Sequence, residues 1–134
     1  MSKLLLNELV GMARSQGADL FGVADITSAL DFICNQGGSH LRKFSHGISI
    51  GISLINSIVD ELHRREEAPI FYTYRALYNT VNARLDQIAF LLSKHIQNEG
   101  YDAYPVPASQ IIDHKKLIGV VSHKLIAHLA GLGW

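Results

Sequence analysis

The chain has 134 residues, 48% of them hydrophobic and 18% charged, with 12 Lys and Arg against 12 Asp and Glu. This composition excludes a disordered chain and one drawn to nucleic acid by its net charge, and the length suits a single domain, residues 1–134, with one core. No stretch approaches the ~18 apolar residues of a membrane span, and Asn7 and Glu8 interrupt the apolar N-terminus before it reaches signal-peptide length, so a cytoplasmic protein is expected.

Leu6, Leu9, Val10 and Ala13 recur at helical spacing and predict a helix from Ser2 to about Gln16, with Gly17 as its left-handed C-terminal cap. "ADLFGVAD", residues 18–25, is short, apolar and bounded by turn formers, as a buried strand would be. Residues 32–44 have no clean period and contain Gly37 and Gly38, which predicts a loop. "HGISIGISL", residues 46–54, alternates Ile48, Ile50 and Ile52 with Gly and Ser, so one face of this strand is nearly bare. Such a face admits a second backbone, a closely packed helix or a flat ligand.

A short helix is expected from Ile55 to about Arg65. The longest one follows over residues 71–98, where Tyr74, Leu77, Val81, Leu85, Ile88, Leu92 and Ile96 step by three or four before Gly100. "YDAYPVP", residues 101–107, reads as a third strand halted by Pro105 and Pro107, and Asp113 to Gly119 as a polar connection. Ser122 then caps a closing helix that Gly131 terminates. Strands alternating with helices predict an α/β domain, a small central sheet flanked by helices.

The chemistry-bearing residues are scattered. Cys34 is the sole cysteine, so the chain forms no internal disulfide and holds no iron–sulfur cluster alone. No two of the seven His stand three or four apart; His123 and His128, five apart, point about 140° away from each other on a helix, and no metal site is expected. P-loop, dinucleotide-binding and serine-hydrolase signatures are absent. The basic clusters Arg42-Lys43, His63-Arg64-Arg65 and His114-Lys115-Lys116 are short and read as solvated faces, so nucleic acid is not an expected partner. Acid–base candidates are Asp113, His114 and His123. Tyr72, Tyr74, Tyr78, Tyr101 and Tyr104 either line a flat cofactor or belong to the core.

Five stretches occur in a suggestive order: "GADLFGVAD" (17–25), "ISIGISL" (48–54), "YRALYNTVNARLD" (74–86), "GYDAYPVPAS" (100–109) and "SHKLIAHLAGLGW" (122–134). Together they resemble the N-terminal, corrinoid-binding domain of epoxyqueuosine reductase-like iron–sulfur proteins, a family related to the reductive dehalogenases. The resemblance implies a nitroreductase-like fold that is incomplete here, the chain being the front part of a longer protein whose ferredoxin-like domain carries the clusters. It also implies cobalamin as cofactor and a reductase activity. Carried over by position, Tyr104, Pro107, Ala108, Ser109, Gly131 and Gly133 would lie near the corrin.

One departure matters. Family members place a catalytic Asp in a V-D-S stretch, where this chain has Val106-Pro107-Ala108-Ser109, and neither Pro nor Ala delivers a proton. Either Asp113 in the longer connection replaces it, or this relative has another role. Two readings follow: the cofactor-binding half of a cobalamin-dependent reductase, or a non-catalytic binding or dimerisation module. A two-fold homodimer is expected from apolar surface around Ala130 to Trp134.

Overall fold

The computed structural model describes residues 2–109, 115, 119 and 121–133. Helix α1, Lys3–Ser15, starts where the Ser2 hydroxyl accepts the Leu5 N–H and buries Leu5, Leu9 and Ala13, one side chain per turn. Strands β1, Leu20–Asp25, and β2, His46–Gly51, pair antiparallel with Phe21 opposite Ile50 and Val23 opposite Ile48. Two short helices, α2 (Leu30–Ile33) and α3 (Asn56–Val59), precede α4, the unbroken helix Ala68–Asn98. Helix α5, His123–Leu129, is N-capped by the Ser122 hydroxyl, which accepts the Leu125 N–H.

Helices α1, α4 and α5 end in the same way. Gly17, Gly100 and Gly131 adopt φ of 106°, 92° and 79°, and the next residue in each case bonds back five positions: Ala18 N–H to Ala13 O, Tyr101 to Ile96, Leu132 to Ala127. This is the Schellman geometry, and only glycine enters it without steric cost. The predicted ends of these helices therefore hold. The long helix begins three residues earlier than its periodicity suggests, because Pro69 suits the first turn, where no N–H is required.

Two core clusters lie on opposite faces of the sheet. On one, Phe21, Ile48, Ile50 and Ile52 pack against Leu5, Leu9, Ala13, Ala18, Ile88 and Leu92 of the α1–α4 layer. On the other, Ala24 joins Ile26, Ala29, Ile33, Leu41 and Ile126, with Leu125 and Leu129 of α5 alongside. The result is a mixed α/β arrangement with helices on both sides of a small sheet, as expected, but the sheet has only two strands among the described residues.

Three local expectations need correction. The short helix expected from Ile55 to about Arg65 is divided into α3, Asn56–Val59, and a separate tight turn at Leu62–Arg64. Residues 101–107 form no strand. Pro105 and Pro107 share one strand edge and both lack an N–H, so that edge offers a ladder nothing to donate. The expected loop at 32–44 contains helical turns: the end of α2, a turn over Cys34–Gly38 in which Gly37 takes φ 101°, and a tight turn at Ser39–Leu41. Burial of Ile33 and Leu41 in the second cluster orders a segment with no helical period of its own.

Candidate functional site

A groove of about 750 Å³ runs between β2, α4, the extended residues 101–108 and the start of α5. Helix α4 contributes Asn82, Leu85, Asp86, Ala89, Leu92, Ser93 and Ile96, a stripe set by the helical repeat. Strand β2 contributes residues 46–50 in succession, both faces at once, because the groove follows its edge rather than a face. The Ile26 N–H donates to Ser45 O, so in this register alternate residues 45, 47 and 49 bond β1. His46, Ile48 and Ile50 consequently turn their backbone N–H and C=O toward the groove.

Residues 101–108 close the opposite wall and are held by side chains in place of a ladder. Lys43 Nζ pairs with Asp102 Oδ2 at 3.0 Å. Asp86 Oδ1 accepts the Ala108 N–H at 2.8 Å, and His123 Nε2 donates to Pro107 O at 3.0 Å. The His40 and Tyr104 rings meet at 5.2 Å between centroids. Both carboxylates that line the groove, Asp86 of α4 and Asp102 of the extended segment, thus have structural partners.

Charge elsewhere is local and exposed. The Thr27 hydroxyl and N–H both donate to Asp25 Oδ1, at 2.6 and 2.9 Å, and hold this carboxyl below its ordinary range. Arg64 bonds Glu67 through two guanidinium nitrogens and lowers that carboxyl likewise. Exposed pairs of this kind contribute little to stability.

The candidates from sequence separate into groups. Tyr104 and Ala108 line the groove, as does Tyr101. Pro107 offers its carbonyl to His123, and Ser109 is exposed in a turn. Gly131 caps α5, and the Gly133 carbonyl accepts His128 Nδ1–H at 3.0 Å; the intervening turn sits against β1, where a Cβ on Gly22 would lie 3.0 Å from Ala130 and 3.1 Å from Leu132. Asp113, His114 and Trp134 lie outside the described residues. Tyr72 and Tyr78 are exposed on α4, away from the groove.

The bare Gly and Ser face of β2 meets a helix. A Cβ on Gly47 would stand 3.0 Å from Ile126 Cγ2 of α5 and 3.2 Å from Ile26 Cγ2. Of the three occupants such a face admits, close helix packing is the one found.

A second cluster contains only one His and so has no His–His spacing in the chain. Glu8 of α1 and His95 and Glu99 at the end of α4 bring one ligating atom each within 4.8 Å of one another. The His95 and Glu99 spacing of four is legible in the chain, but Glu8 arrives only through helix packing. No helix among the described residues is long and apolar enough to cross a membrane. Comparison of the chain with protein-family models, curated proteins and solved structures finds no match.

Proposed function

We propose that this chain is a cofactor-binding domain whose groove receives one side of a large flat ligand with amides on its rim, a corrinoid, as the cofactor-binding half of a cobalamin-dependent, iron–sulfur-linked reductase. The observation that supports this most is the groove itself: about 750 Å³, within the ~300–1,000 Å³ of ligand sites, with an apolar floor and a strand edge unpaired among the described residues. Ile48, Ile50, Leu85 and Ala89 offer a flat apolar surface, and the β2 backbone with Asn82 and Ser93 offers hydrogen bonds to peripheral amides. Tyr101 and Tyr104 stand where rings can cover the ligand's edge. Such a corrinoid would supply reduced cobalt, with electrons from clusters on a ferredoxin-like domain beyond this chain.

The contribution of the chain itself is binding and orientation. Asp86 and Asp102 anchor the groove wall, so a carboxylate free to move a proton would have to come from Asp113 or from the partner domain. A specific observation favours the second reading, a binding and dimerisation module: Tyr72 and Phe90 are both exposed and stand about five helical turns apart on one side of α4, apolar side chains that a two-fold partner could cover.

Titration with hydroxocobalamin separates the readings. A shift in the visible spectrum with Kd no tighter than roughly 10 μM is expected, and Tyr104→Ala should weaken it about fivefold through the loss of one aromatic wall. No spectral change up to about 1 mM cobalamin, with sedimentation showing a dimer, would leave the module reading in its place.

A further inference from the structure

We infer that Glu8, His95 and Glu99 form a binding site for a first-row divalent cation of the zinc type, joining α1 to the C-terminal end of α4. The packing of the two helices creates the juxtaposition. Leu9 and Leu92 are buried between them; Glu8 precedes the first by one residue and His95 follows the second by three, so both emerge at the rim of that seam. Glu99 stands one turn beyond His95, the spacing that places side chains on one helix face. His95 Nε2 already lies 2.9 Å from Glu8 Oε2, and the ligating atoms of all three fall within 4.8 Å.

The donor set is mixed: one imidazole nitrogen and two carboxylate oxygens, leaving a position for water. Imidazole selects Zn²⁺ and its neighbours, whereas Ca²⁺ and Mg²⁺ favour oxygen throughout. Two independent features also call for positive charge. Neither Glu8 nor Glu99 pairs with Lys or Arg among the described residues, and both carboxylates sit beside the negative pole of a 31-residue helix. The His95 ring is half-buried and its Nε2 already faces Glu8. Donors about 2.0–2.2 Å from zinc stand roughly 3.3–3.5 Å apart, and rotation of the exposed Glu99 side chain closes the difference. None of the three residues lines the groove, so this inference is independent of the cofactor reading.

The test is a titration of the full chain with ZnCl₂ against a chromogenic chelator, repeated for Glu8→Gln/Glu99→Gln, which retains every His. One equivalent should bind with Kd of roughly 1–10 μM, and the double variant should bind at least about tenfold more weakly. Zinc at about 100 times Kd should raise the thermal midpoint of the wild type by several degrees and that of the variant hardly at all. A measurement on the unaltered chain backs this up: in an imidazole NMR spectrum, His95 should respond at the lowest zinc concentration. Equal affinity in the double variant, a different His responding first, or no binding below about 1 mM zinc would each overturn the site.

Discussion

Replacing Gly22 by Ala asks whether the bare face of the sheet is covered by α5 or stands open to a ligand. The added Cβ would lie 3.0 Å from Ala130 Cβ, 3.0 Å from Ala130 O and 3.1 Å from Leu132 Cγ. Real Cβ contacts are looser, and the two Ala130 atoms cannot swing aside, because the Ala130 N–H is bonded to Ile126 O at the end of α5. The end of α5 must therefore shift. Overpacking of this kind costs about 1–3 kcal/mol, offset by roughly 0.5–1 kcal/mol from the smaller conformational freedom of Ala in the unfolded chain. A net loss of about 1–2 kcal/mol should lower the thermal midpoint by roughly 3–8 °C for a chain of this length.

Gly47→Ala should cost a similar amount, about 1–3 kcal/mol before the same offset, because the Cγ2 methyls it meets at 3.0 and 3.2 Å belong to Ile126 and Ile26, buried β-branched side chains that are stiff at χ1. Gly133→Ala, where a Cβ meets nothing within 4 Å, is the neutral control. Urea unfolding followed by far-UV circular dichroism measures all three. If Gly22→Ala is as stable as the wild type, α5 does not cover this face and the face is free for a ligand after all.

Leu9 is fully buried between α1 and α4, so Leu9→Ala should destabilise by about 2–5 kcal/mol in the same urea experiment; a loss below 1 kcal/mol would mean that the two helices are not packed along this seam. Thr27 holds the Asp25 carboxyl below its ordinary value of 3.8, so the stabilisation is fully present above that value and disappears as pH falls through the lower value of the folded state. An NMR titration should show the depressed midpoint, and Thr27→Val, which keeps the N–H but removes the hydroxyl, should move it upward; an unchanged midpoint would exclude the hydroxyl as the main cause.

Much of the architecture is legible in the chain because it depends on neighbours a few residues apart. Ser2 and Ser122 start helices, and Gly17, Gly100 and Gly131 end them, since capping needs only a nearby hydroxyl or a residue that tolerates positive φ. The stripe from Tyr74 to Ile96 is half-buried or buried along its length, as the helical repeat predicts, and Ile48 and Ile50 face the α1–α4 core as the alternation in β2 predicts. The features that bear on function are of another kind. That the Gly face of β2 takes a helix, that residues 101–108 are tethered by Asp86, Lys43 and His123 instead of a ladder, and that Glu8 reaches His95 are outcomes of packing between distant segments. An alternation pattern says that a strand has a smooth side but not what will press against it, and a spacing along one helix cannot announce a ligand brought by another. Those contacts exist only once the two cores have closed on either side of the sheet and set α1, α4 and α5 in place.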